Sequence, residues 1–466
     1  MGWNAAIDEW RSKMVKQAKT IEEIAIVHPN AAGLDIGASE IWGCVPADRE
    51  GERIKAFGTF TPDLQRLADW LVANEVDTVA MESTGVYWIP VFELLEARGL
   101  TVYLVNARHI KNAPGRKSDY QDCQWLQKLH MLGMLSASFR PDGEIVCLRG
   151  YLRHRAQLIQ HRAPHLLHMH RALQQMNIQL SQVLTDIGGT TGFAILRAIV
   201  AGERDGLKLA QLRDPRCKSS KAMIAKALSG DWKPEQLFIL QQSLELYDFY
   251  TQQLLTCDAQ IEARFAVMRP RWESVTEGPS VPPAKPDTRS KNQPPASTRA
   301  ALIRLTGVDL VAIKGISTSL AQTILSEIGT DMSRWPTDKH FASWLGLAPH
   351  NDISGGKVLR SRTLPTTNRA GQAFRQAATS VTRSRTVFGS FYRRKCAQLG
   401  PQQALVATAH KIARTVYHLL KFHAPFEEIG ATAYELKQRE RELAHLRKKA
   451  AQFGFSLTQP SIQASA

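Results

Sequence analysis

Three strand-length apolar runs, at residues 32–45, 77–82 and 101–106, alternate with stretches of helical period at 62–73 and 89–98. This order confines residues 32 to about 139 to an α/β domain, because each helix must bury its apolar stripe against a sheet face. Gly37 breaks the first run and predicts a hairpin there; its missing side chain is also expected to let another group approach closely.

Two of these runs carry an acid, Asp35 in AAGLDIGASE and Glu82 at the end of TVAMES. A lone carboxylate is costly to bury, so a cation or a hydrogen-bond network has to compensate it. In GRKSDYQDCQWLQKL, the spacing of Asp119 and Asp122 places both on one face of a helix. If that helix packs against the strands, four carboxylates converge. Taken singly, Asp119 or Asp122 also reads as a helix N-cap, and Glu82 as a salt-bridged strand end. Taken together, four oxygen donors with no soft ligand suit Mg²⁺ or Mn²⁺. Two such ions about 4 Å apart can hold both the attacking and the leaving oxygen of a phosphoryl transfer. Tyr87 and Trp88, just after Glu82, read as core, with base stacking as the alternative.

Beyond residue 146 the strand signals stop. Residues 148–177 and 234–265 carry long helical periods, which predict a coiled coil or helical stalk. Residues 277–298 are Pro-rich and almost free of apolar side chains, a linker composition. The expected division is a helical extension at 1–28, an α/β domain at 29–145, a helical coiled-coil region at 146–270 and a Pro-rich linker at 271–299. A mainly α domain at 300–425 and a charged helix with a disordered tail at 426–466 follow.

Lys and Arg number 59 against 43 Asp and Glu, a formal net charge of +16 that favours a polyanionic partner, with nucleic acid ahead of an anionic membrane surface. No apolar run of membrane-spanning length and no signal-peptide core appears, so a soluble, cytoplasmic protein without membrane association is expected. The 6 cysteines are scattered, which argues against disulfides or structural zinc. His161, His165, His168 and His170 have metal-ligand spacing but no acid beside them and a proline among them, so a solvated or RNA-facing surface is the expectation. Arg108, Lys111, Arg116 and Lys117 form a dense basic loop before Asp119, placed to contact a nucleic-acid backbone where a plain solvated charge run is the alternative.

In GLAPHNDISGGKVLRSRTLPTTNRAG, Ser354 precedes Gly355, Gly356 and Lys357, with Arg360, Arg362, Asn368 and Arg369 following. Glycines let backbone N–H groups approach a phosphate and the cations offset its charge. The residues alone leave two readings open, a nucleophilic serine or a hairpin that only binds phosphate. A nucleophile would need activation, for which a metal-bound water, a neighbouring carboxylate or Lys357 are the candidates. Upstream, LVAIKGISTSLAQTILSEIG reads as a helix-hairpin-helix opened at Gly315, either a DNA-phosphate contact or a packing hairpin, with Leu320, Ile324, Ile328 and Trp344 as core.

LDIG, MESTGVYW, VNARHIKNAPGRKSDYQDCQWL and GLAPHNDISGGK, in that order, resemble the DEDD transposases of insertion-sequence family one-ten, in its eleven-eleven subgroup, relatives of the pilin-inverting recombinases. The resemblance runs from about residue 30 to 422. It implies a RuvC-like, RNase H-type N-terminal domain in which Asp35, Glu82, Asp119 and Asp122 bind metal, and a C-terminal transposase domain with Ser354 as nucleophile. It also implies a dimer to tetramer acting on element-end and target DNA with a structured bridge RNA. Cys123 stands where a small Ala is commoner in that family, and TTNRAG at 366–371 departs from its usual wording, leaving Asn368 and Arg369 as auxiliary phosphate contacts less securely assigned than Ser354. The function expected is DNA strand cleavage and rejoining through a covalent serine–DNA intermediate, on a composite site shared between protomers. The alternatives are a RuvC-like two-metal nuclease without a covalent intermediate, and a non-catalytic nucleic-acid scaffold.

Overall fold

The structure, a computed structural model, describes residues 25–83, 85–106, 118–270, 292–363, 368–428 and 430–457. The chain forms two compact units, Met1–Arg140 and Pro141–Ala466.

The first unit runs β1 (Ala31–Ile36), β2 (Glu40–Cys44), β3 (Ile54–Gly58), α1 (Thr61–Ala73), β4 (Thr78–Glu82), α2 (Trp88–Ala97), β5 (Thr101–Val105) and α3 (Asp119–Met131). The sheet order is β3-β2-β1-β4-β5. Strands β1, β2 and β3 form an antiparallel meander, and β4 and β5 add parallel to β1. Strand β3 was not anticipated: IKAFG alternates only weakly, with Lys55 exposed next to its buried first residue.

Alternation along β1 assigns the two sheet faces. Leu34 and Ile36 point into a core with Leu67 and Leu71 of α1 and Val91 and Leu95 of α2. Gly33 and Asp35 point to the other face, where α3 lies. A Cβ at Gly33 would stand 2.3 Å from the Gln127 amide nitrogen and 2.4 Å from the Cys123 carbonyl oxygen, so only glycine lets the helix backbone come this close. Gln127 Nε2 donates to the Ala31 carbonyl at 3.2 Å and ties the same helix to the same strand. The close approach expected at Gly37 is a local one: its N–H donates to the Glu40 carbonyl at 2.9 Å inside the hairpin, and no distant group comes near. Tyr87 is exposed, which corrects its reading as core, whereas Trp88 packs half-buried against the core.

The second unit begins with α4 (Gly143–Gln175), followed by the shorter α5 (Leu180–Val183), α6 (Thr190–Val200), α7 (Gly206–Gln211) and α8 (Lys221–Ala227), and then α9 (Pro234–Val267). Helices α4 and α9 pack along one another, and α4 continues through Pro164. A buried ion pair, Arg155 to Asp258 with contacts of 2.5 and 3.1 Å, crosses their seam, where an unpaired charge would be costly.

After the 271–291 segment come α10 (Ser297–Thr306), a short 3₁₀ turn (Leu310–Ala312), α11 (Thr318–Ile328), α12 (Asp338–Trp344), β6 (Pro349–Ser354), β7 (Lys357–Thr363), α13 (Arg369–Val381), α14 (Val387–Leu399), α15 (Pro401–Phe422) and α16 (Ala431–Gln452). Phe341, Phe374 and Tyr417 form an aromatic core, and Tyr417 Oη donates to the Trp335 carbonyl at 2.8 Å. Among the described residues, no helix is long and apolar enough to cross a membrane.

Candidate active site

Asp35 stands one residue beyond the Leu34–Met81 pair of the parallel β1–β4 ladder, and Glu82 follows Met81 on the neighbouring strand. Both face α3, whose first turn carries Asp119 and Asp122. The carboxyl ends of parallel strands are where open α/β sheets bind their ligands. Packing of α3 on Gly33 therefore sets the first turn of the helix beside the acid ends of β1 and β4.

The electrostatics record this gathering. Burial raises the pKa of Asp35 from the ordinary aspartate range to about 6, and the nearby charges of Asp119, Asp122 and Glu82 push it the same way. Among the described residues, no three His, Cys, Asp or Glu side chains stand close enough to enclose a metal ion, so the acids share one neighbourhood without closing to ligand distance. The donor set itself, carboxylate oxygens with no imidazole among them, fits a hard divalent cation. Such a cation would relieve Asp35, which three like charges press upon. Cys123, next to Asp122, packs with Cys44 and Ile54, and its thiol donates to the Tyr120 carbonyl at 3.2 Å.

Ser354 ends β6 at the tip of an exposed two-stranded ribbon. Gly355 and Gly356 close it with φ of 55° and 77°, the double positive-φ turn that glycine adopts without strain. Lys357 pairs directly opposite Ser354, Arg360 opposite Asp352 and Arg362 opposite His350. His350, Asp352 and Ser354 are alternate residues of one strand, and the ladder carries a register shift between Asp352 and Ile353. The sequence reading left a hairpin here as one of two alternatives but did not single out His350 and Asp352, because strands exposed on both faces carry no apolar alternation.

Two other expected contacts take fold roles. Asn368 caps α13, accepting from the Gly371 amide at 3.0 Å and donating to the Trp344 carbonyl at 3.3 Å, so its amide is engaged within the fold. Gly315 has a φ of 98°, and a Cβ there would lie 2.6 Å from the Ala377 carbonyl, which makes it a packing requirement between the hairpin and α13. Leu320, Ile324 and Ile328 are buried as expected, and Trp344 stacks on Phe341. Arg369 opens α13 and is exposed. His161 and His165 both stack on the Tyr250 ring, at 5.9 and 5.6 Å. Arg108, Lys111, Arg116 and Lys117 lie outside the described residues.

A mixed sheet in this order, flanked by helices and followed by a helical C-terminal half, is consistent with an RNase H-like α/β domain joined to a helical one. The comparison with protein families makes the class specific. Residues 32–178 match a DEDD transposase model of the IS110 type, and residues 309–393 match the transposase IS116/IS110/IS902 family. The first match holds all four acids and the second holds Ser354. No curated protein matches the chain. The chain belongs to the IS110 family of DEDD transposases, enzymes that cut and rejoin DNA.

Proposed function

We propose that the chain moves an insertion sequence by cleaving and rejoining DNA with two sets of residues, the Asp35–Glu82–Asp119–Asp122 cluster and Ser354. The observation that carries this reading is the gathering of four acids where β1, β4 and α3 meet, registered by the raised pKa of Asp35. The four carboxylates would hold Mg²⁺ or Mn²⁺, which when bound supplies Lewis-acid stabilisation of charge on a phosphodiester oxygen. Ser354 Oγ gives up its proton to a neighbouring base and attacks the phosphorus: an Oγ–P bond forms, the P–O bond to one sugar breaks, and that sugar oxygen leaves with the proton the serine gave up. A hydroxyl of the joining strand then attacks the phosphoserine ester and releases the serine. Asp352, two residues before Ser354 on β6, would receive the Ser354 proton and return it to the leaving sugar oxygen, and Lys357 and Arg360 across the ribbon would offset phosphate charge. Arg362 and Arg369 extend that basic surface.

We further propose that a structured RNA selects the donor and target DNA, that Arg108, Lys111, Arg116 and Lys117 contact the nucleic-acid backbone, and that the chain works as a dimer to tetramer with acids and serine contributed by different protomers. The high net positive charge, +16, supports a polyanionic partnership of this extent. Sequencing the RNA that co-purifies with the protein tests the first point, and random fragments alone would remove it. Neutralising Arg116 and Lys117 tests the second, since each lost phosphate contact should flatten the salt dependence of binding. For the third, mixing exchangeable Asp35→Ala and Ser354→Ala proteins should restore cleavage; continued inactivity would place both sets in one chain.

A further inference from the structure

A groove of about 770 Å³ in the second unit is lined by α4, α11, α13 and the 292–293 segment. Helix α13 presents Arg369, Gln372 and Gln376 to it at helical spacing, α4 contributes Gln160, and α11 contributes Ser319 and Thr323. No carboxylate lines it among the described residues. Across the described residues, the side chains of Gln160, Arg369, Gln372 and Gln376 make no hydrogen bond or ion pair, so their donors and acceptors remain available to a ligand.

We infer that this groove seats the sugar–phosphate backbone of DNA beside the serine ribbon in chain order, an inference that rests on the DNA-cleaving reading. Primary amides and hydroxyls offer N–H and O–H donors to phosphate and sugar oxygens, Arg369 supplies a planar cation, and the lack of carboxylates removes the repulsion a polyanion would otherwise meet. Arg369 comes six residues after the end of β7 at Thr363, so a strand held here meets the stretch of chain that follows the Ser354 ribbon in sequence. DNA is chosen over other polyanions because it is the substrate that the family's activity supplies.

The test is binding of a short DNA duplex by the full chain, measured by fluorescence anisotropy at fixed salt. The double substitution Gln372→Glu with Gln376→Glu places two negative charges in the groove with almost no change of shape. Gln402→Glu with Gln403→Glu makes the same change of net charge at the exposed start of α15. The groove variant should lose at least about 10-fold in affinity, and the α15 variant less than about 2-fold. Equal losses, or none, would overturn the inference by reducing it to overall charge. A loss confined to RNA binding would also overturn it, and assign the groove to RNA. Arg369→Gln, a milder change, repeats the test should the double variant fail to fold, as judged by circular dichroism. Absence of DNA binding by the unaltered chain would instead count against the transposase reading itself.

Discussion

The two candidate regions are built in opposite ways. The carboxylate cluster is set by packing: Gly33 admits α3, α3 carries Asp119 and Asp122 in its first turn, and the β1–β4 ladder fixes Asp35 beside Glu82. Ser354 sits on a ribbon whose strand residues are almost all exposed and whose turn meets nothing around it. The first region is gathered by folding into one neighbourhood, short of ligand distance, at the cost of crowding like charges. The second is held only by its own ladder, so its precise placement must come from what binds it. Gathered acids suit holding a cation that stabilises phosphate charge, and an exposed serine suits a group that has to reach a long duplex.

This contrast can be broken most sharply at the acids. Asp122→Asn keeps shape and removes one charge, so the fold should persist by circular dichroism while cleavage of element-end DNA falls by about 100-fold or more. Full activity in the folded variant would remove Asp122 from the site. Next in size is Gly33→Val, whose side chain would meet the Gln127 and Cys123 backbone. Overpacking of this kind should cost about 3 kcal/mol or more, read as a lower unfolding midpoint, with cleavage lost alongside. An unchanged midpoint would show that the helix and strand are free to separate.

A pH titration probes the same helix. His130, buried on α3 with Nε2 2.8 Å from Thr78 Oγ1, has its pKa lowered to about 4 by burial and by the neighbouring His28. The unfolded chain takes up that proton near the ordinary histidine value of about 6.5. Stability from this group is therefore complete above about 6.5 and is lost as pH falls towards 4. Chemical unfolding of wild type and His130→Gln across that window should show a steeper decline for wild type; parallel curves would contradict it. The smallest effect belongs to the ribbon. Ser354→Ala should change stability by less than about 0.5 kcal/mol, since the side chain is exposed. A larger loss would mean that the serine has a structural role.

The sequence made the acid half of the molecule legible because apolar runs announce strands, and an acid that interrupts such a run stands out against its neighbours. Asp35 and Glu82 were singled out on those grounds and Asp119 and Asp122 by their helical spacing, and the structure brings the charges of the other three to bear on Asp35. Gly33 was not visible, since a glycine inside an apolar strand shows its purpose only when the helix backbone above it is located. Strand β3 was missed and the serine hairpin left only as an alternative for the converse reason: a strand with Lys55 exposed inside it, or one exposed on both faces, has no clear hydrophobic period to read. Tyr87 was misplaced because aromatic character says nothing about which side of a turn faces solvent.

If Ser354 is the nucleophile and the acid cluster of the first unit serves it, trapping the reaction on element-end DNA in Mg²⁺ shows it most directly. Denaturing gels and mass spectrometry of the digested product should find DNA covalently bound to the peptide carrying Ser354. The adduct should be absent from both Ser354→Ala and Asp122→Asn proteins. Cleavage without any adduct, or an adduct that survives Ser354→Ala, would contradict the account and leave a two-metal nuclease as the better description of the same acids.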